Sequence, residues 1–375
     1  MDVELSEEQR FLQQTVAKFL EHAVPLSALK ERAERDEPPF TRDYWRQAAE
    51  LGLAAVLVPE EFGGIGTEQP VLDLVIVAEE MGRQIAPGPL LPVSVVADAL
   101  VRSGSADQQR QYLPALADGS LLAAWAMGEA PDQWEPAEGT TSARPDGPDW
   151  VLTGHKASVE AADVAEVLLV TARTGDGMAQ FLVPRDTAGL SVRPLPRYDL
   201  GRQFADVGFD EVRLPAQALL GTPGQIDAVL EHQYLLALTL QAAETAGLVE
   251  RIFDTTIDYV QNRYAFGRTL ASYQALKHRI ADHKLWLEAA LGISTALARS
   301  LAAEDGDGAR LASAAKAHIG DQSLTIVSDC VQLFGGIALT WEHDLHLYLR
   351  RATVNKVVYG SPAQHRERLC RLAGL

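Results

Sequence analysis

Two short runs in the last third of the chain carry residue types that can do chemistry. The first is Arg263-Tyr264-Ala265-Phe266-Gly267 and the second is Gln332-Leu333-Phe334-Gly335-Gly336. A guanidinium such as that of Arg263 binds phosphate oxygens through a rigid fork of donors. Adjacent glycines let a backbone approach a ligand closely. Gln274 and Gln332 add side-chain amides. Taken singly, these residues have plainer explanations, Arg263 as a helix-surface charge and Gly335-Gly336 as a helix terminator. A proton acceptor is harder to find. Glu244, within Ala242-Ala243-Glu244-Thr245-Ala246-Gly247, reads either as a base or as a structural residue. Glu250, Asp254 and Asp258 read as solvated charges. Cys330 and Cys370 show neither metal-type nor redox-type spacing, so no metal site and no disulfide framework is expected.

The elements that must position these residues are mostly helical. Ser6 ahead of Glu7 and Glu8 reads as a helix start. Segments 44–53, 72–83 and 108–116 read as further helices, and 59–66 as a glycine-rich loop. Between 119 and 225 the pattern changes. Segments 121–127, 150–153, 167–172, 180–183 and 207–214 read as strands, parted by turns such as Pro145-Asp146-Gly147-Pro148. Long helical segments return at 226–262, 271–304, 308–334 and 342–358. The expected fold is mostly α with a central β domain. A helical domain spans 1–118, a β-barrel or sandwich 119–225, and a helical bundle 226–375.

Composition narrows the function. Thirty-three basic residues against 51 acidic ones give a net charge of -18. That argues against a nucleic-acid binder, whose affinity comes largely from basic contacts to phosphate. The acidic, amphipathic N-terminus does not read as a signal peptide. No apolar run reads as long enough to cross a bilayer. The expectation is a soluble cytoplasmic protein.

In their order along the chain, these motifs resemble the acyl-CoA dehydrogenase family. Leu51-Gly52-Leu53-Ala54 running into Pro59-Glu60-Glu61-Phe62-Gly63-Gly64 is similar to the family's N-terminal signature. Tyr273-Gln274-Ala275-Leu276-Lys277 is similar to the helix after its R-x-x-F-G. Thr340-Trp341-Glu342-His343-Asp344 resembles a bacterial branch. The resemblance implies the family's fold, with a C-terminal four-helix bundle, and its FAD chemistry. A carboxylate takes a proton from the acyl-CoA thioester and flavin takes a hydride. It also implies that Arg263, Phe266, Gln274, Gln332, Gly335 and Gly336 hold the FAD of a neighbouring subunit.

The departures from the family pattern are equally specific. Where the family has Tyr-Glu-Gly-Thr, this chain reads Tyr359-Gly360-Ser361-Pro362, so the usual base is lost at Gly360. A second base position, in the helix before R-x-x-F-G, falls on Ala237. The family's Thr-Glu-Pro keeps only Glu129 and a shifted Pro131. Its flavin-lining Lys-x-Trp/Phe-Ile-Thr becomes Lys156-Ala157-Ser158-Val159-Glu160, and Glu160 reads as a poor flavin neighbour or as a solvent-facing charge. His365 and Arg366 read as surface residues or as contacts to CoA or a partner chain. The resemblance therefore implies an α2β2 assembly with a second acyl-CoA dehydrogenase-like subunit, which supplies the base. It acts on a bulky, possibly steroid, acyl-CoA and passes electrons to an acceptor. The alternatives are a self-sufficient homo-oligomer using Glu244 and a non-catalytic structural subunit.

Overall fold

The computed structural model of the chain describes residues 5–130, 133–135 and 138–375. They form two compact units. One takes residues 5–30, 75–86 and 238–375, and the other takes the remainder. Both units take residues from the stretch 5–118.

In chain order the helices are α1 (Glu7–Ala23), α2 (Leu26–Glu34), α3 (Arg42–Glu50), α4 (Pro70–Arg83), α5 (Leu90–Ser103), α6 (Ala106–Ala117), α7 (Asp227–Asn262), α8 (Gln274–Ala303), α9 (Gly308–Phe334), α10 (Leu345–Val357) and α11 (Pro362–Leu372). The capping box between Ser6 and Gln9 starts α1 by satisfying backbone donors that a helix leaves unpaired. In the first unit α9 is central and packs against α8, α10 and α11. Its buried stripe, Ala312, Ala315, Ile319, Ile326, Val327 and Cys330, follows the helical period. The segment Gly308–Leu339 is long and apolar enough by composition to cross a membrane, contrary to expectation. Within the bundle 39% of its most apolar stretch is buried. Helices α4 and α7 cross closely at Gly82. A Cβ there would fall 1.9 Å from the carbonyl oxygen of Glu244.

The second unit is built on one eight-stranded sheet. Its strands are β1 (Ala123–Ala126), β2 (Ser142–Asp146), β3 (Asp149–Glu160), β4 (Val167–Thr174), β5 (Gly177–Pro184), β6 (Leu190–Pro194), β7 (Phe204–Leu214) and β8 (Leu219–Leu220). The hydrogen-bonded order is β6-β7-β3-β2-β4-β5-β8, with β1 parallel to β4. Alternate residues of six strands meet in one apolar core, among them Leu152, Leu168, Val170, Phe181, Val207 and Phe209. Strand β3 is irregular near its end. The register against β7 shifts between Lys156 and Val159, and Ser158 has φ 52°. Such a bulge re-aims the side chains beyond it, and both Val159 and Glu160 are buried.

Candidate functional site

Helix α7 ends at Asn262 and a hairpin leads into α8. The Arg263 N–H donates to the Tyr259 carbonyl, and the Leu270 N–H donates to the Arg263 carbonyl, each at 2.8 Å. Strands β9 (Tyr264–Ala265) and β10 (Arg268–Thr269) pair antiparallel around a two-residue turn. Phe266 and Gly267, the turn residues, have φ 52° and 83°. Two left-handed residues in sequence suit the twist of a tight hairpin, but Asn or Asp is the ordinary first occupant. Phe266 is instead 99% exposed. The Tyr273 hydroxyl donates to the Ala265 carbonyl at 2.8 Å. Gln274 then opens α8 with its side chain exposed.

Helix α9 stops at Phe334 because Gly335 takes φ 75° and ψ -153°, a region open essentially to glycine alone. A Cβ on Gly335 or Gly336 would meet nothing within 4 Å. Gly335 is therefore explained by its backbone, while Gly336 leaves its backbone open to approach. The two motifs are pinned together. The Phe334 ring stacks on Tyr259 at 3.9 Å, one helical turn before Arg263. Asp329 of α9 accepts from Arg279 at 3.0 Å and bonds His283 at 2.6 Å, both from α8. Arg263, Phe266, Gln274, Gln332 and Gly336 thus gather, exposed, where α7 and α9 end and α8 begins.

In the second unit Lys156, Glu129, Glu160 and Arg202 turn inward. Lys156 is 0% exposed, and its ammonium donates to Glu129 at 2.7 Å and to the Met127 carbonyl at 2.9 Å. Glu129 also accepts from the N–H and hydroxyl of Thr140 and from the Thr141 N–H. Burial alone would raise the Glu129 pKa, but the bonds from Lys156 and Thr140 outweigh it and bring it down to about 2. Glu160 is buried beside Arg202, with Nε 3.3 Å from Oε1. It faces a counter-charge and not solvent. A cavity of about 10 Å³ lies against the pair, lined also by Phe40, Pro89 and Gly201. That is room for roughly one water. Pro131 lies outside the described residues.

Models of the N-terminal, middle and C-terminal domains of acyl-CoA dehydrogenases match residues 6–120, 125–212 and 239–373. The acyl-CoA dehydrogenase IpdE2 of Mycobacterium tuberculosis is 31% identical, over 97% of this chain and 96% of its own length. The chain belongs to the acyl-CoA dehydrogenase family. FadE12 of Mycobacterium bovis is also 31% identical, over 94% of this chain and 92% of its own length. Among solved structures, the Tcur3481-Tcur3483 steroid acyl-CoA dehydrogenase, as a G363A variant, superposes with a TM-score of 0.88 at 31% identity, covering 98% of each chain. Butyryl-CoA dehydrogenase from Megasphaera elsdenii shares the fold, with a TM-score of 0.91 at 21% identity over 100% of both chains. The protein is accordingly an oxidoreductase of a family acting on acyl-CoA.

Within this acyl-CoA dehydrogenase fold, the expected base positions hold no carboxylate. Ala237 is a buried alanine of α7. Tyr359 and Gly360 are both left-handed, with φ 63° and 100°. Ser361 then caps α11 in a capping box with Gln364. Glu244 is buried in the bundle and engaged through both oxygens. Arg351 donates to Oε1 at 2.5 Å and Asn355 to Oε2 at 3.1 Å. Two smaller expectations change. Glu250 pairs with Arg83 and is not simply solvated. His365 is buried, with Nε2 2.9 Å from the Tyr359 carbonyl, and burial lowers its pKa to about 4. Arg366 is exposed and paired with Asp321. Lys316 is a residue that sequence reasoning missed. Buried in α9, it donates to the carbonyls of Asn355 and Val358, just before the Tyr359–Gly360 turn.

Proposed function

We propose that this chain is one subunit of a heteromeric, FAD-dependent acyl-CoA dehydrogenase. It contributes the residues that hold the adenosine side of FAD, and a sister acyl-CoA dehydrogenase-like chain contributes the flavin pocket and the base. The observation that carries the reading is the exposed group at the ends of α7 and α9. Arg263 is free to meet pyrophosphate, Gln274 and Gln332 to meet the adenosine portion, and Gly336 to admit close approach. These residues fit the group. When bound, FAD supplies the hydride acceptor.

The base position supports the division of labour. Laid on Val358-Tyr359-Gly360-Ser361, the motif Tyr-Glu-Gly-Thr matches glycine to glycine and hydroxyl to hydroxyl. Gly360 is left-handed and Ser361 is the helix cap, so both positions are conformationally constrained. In this register Tyr359, and not Gly360, stands where the carboxylate would be. A glycine has no proton acceptor, and a phenol ordinarily keeps its proton at neutral pH. The self-sufficient alternative needs Glu244, whose oxygens are already committed to Arg351 and Asn355.

The relative named as a steroid enzyme favours a bulky acyl-CoA, such as a steroid side-chain thioester, as substrate. An electron acceptor must then reoxidise the flavin. The test is co-expression with neighbouring acyl-CoA dehydrogenase-like genes, followed by Arg263→Ala in this chain. The reading expects a yellow complex whose affinity for FAD falls on substitution. Unchanged affinity would favour a purely structural subunit.

A further inference from the structure

We propose that Tyr273 and Arg268 are positioning residues that hold the Phe266 arm in shape for the cofactor, a role that rests on the FAD reading above. The hairpin has only two residue pairs, Arg268 with Ala265 and Thr269 with Tyr264. A two-stranded hairpin is marginal by itself in water, and one this short more so. Its turn does not help. Phe266 adopts a left-handed conformation that bulky side chains rarely take. Its ring is 99% exposed, so no burial within this chain offsets that preference.

The support comes from one aromatic ring outside the turn. Tyr273 donates its hydroxyl to the carbonyl of Ala265, the residue just before Phe266, at 2.8 Å. Arg268, the residue just after Gly267, lays its guanidinium 3.8 Å from the centroid of the same ring. A cation over an aromatic face is attracted by the ring quadrupole. The hydroxyl of Tyr273 therefore holds one strand and its face holds the other. Tyr273 also immediately precedes Gln274, the first residue of α8. The placement of Phe266 and of Gln274 is linked through this side chain. An arm already in its bound shape need not be ordered when the ligand arrives, so such a clamp raises affinity through preorganisation.

The experiment uses the co-expressed complex, stripped of flavin and titrated with FAD, with hydrogen exchange read at the amides of residues 264–270. Tyr273→Phe keeps the ring under Arg268 and removes only the hydroxyl. It is expected to speed hairpin exchange and weaken FAD about fivefold to tenfold, the scale of one hydrogen bond. The thermal midpoint of the apo complex should stay in place. Arg268→Met should do the same more mildly, and Arg268→Lys, which keeps a cation over the ring, should restore most of the affinity. Unchanged hairpin exchange, or faster exchange with unchanged FAD affinity, would overturn the proposal. Arg263→Ala separates the two layers. If it weakens FAD while Tyr273→Phe does not, only the clamp fails. If neither weakens FAD, the cofactor reading itself fails.

Discussion

The polar motif residues of the first unit face outward, and the charged motif residues of the second face inward. Arg263, Phe266, Gln274 and Gln332 are exposed where α7 and α9 end and α8 begins. Lys156 and Glu160 of β3 are each buried against a partner from another segment, Glu129 and Arg202 respectively. A buried ion pair must offset the desolvation of both charges, and removing one partner strands the other. An exposed arginine carries no such obligation. The outward groups are therefore free to serve a ligand, and the inward groups are committed to the fold. Both sets come from motifs of one family, so motif identity alone does not say which side chains remain available for chemistry.

That contrast can be broken in order of expected effect. Lys156→Met should strand the Glu129 carboxylate and cost about 3–5 kcal/mol in urea unfolding. The variant should still accept FAD below its melting transition. A small stability loss with lost flavin would instead make Lys156 a cofactor contact. His365 tests the interior of the first unit. Its folded pKa is depressed to about 4, so the unfolded chain binds more protons between roughly pH 6.5 and 4. Stability should be complete above that window and fall by about 3 kcal/mol as pH drops through it. His365→Gln should flatten that slope in acid titrations.

Glu244→Gln keeps the shape but removes the charge beside Arg351, and its one amide oxygen can accept from only one of the two donors, Arg351 or Asn355. We expect a loss of about 2 kcal/mol, with turnover per folded complex retained. Abolished turnover at full FAD content would make Glu244 the base. Arg263→Ala is the mirror of Lys156→Met. It should weaken FAD about tenfold while changing stability by less than about 0.5 kcal/mol. Thermal melts alongside flavin titration would show whether the two effects separate in this way.

Much of the fold was legible because its signals are local. The Ser6 cap and the apolar stripes of α7 to α9 follow from residue type and period. Helix α5 was not foreseen, since Leu90 to Leu100 are all buried and an all-round apolar segment shows no stripe. Helix α11 carries a local signal, Ser361 three residues before Gln364 with Pro362 at the first turn. Strands β2 and β6 are short and largely exposed, so they lack the alternation that marks a strand. At the site, the ordered motifs pointed to Arg263, Gln332 and the glycines. They could not reveal that Glu160 meets Arg202, a partner distant in sequence. Nor could they show that Tyr273 reaches back to Ala265, because that contact depends on the turn between them.

The most direct measurement is the flavin spectrum and solution mass of the purified chain, alone and with its sister chain. The shared-site account predicts a colourless or insoluble chain by itself and a yellow complex containing both chains. A yellow homo-oligomer of this chain alone, turning over acyl-CoA, would contradict it.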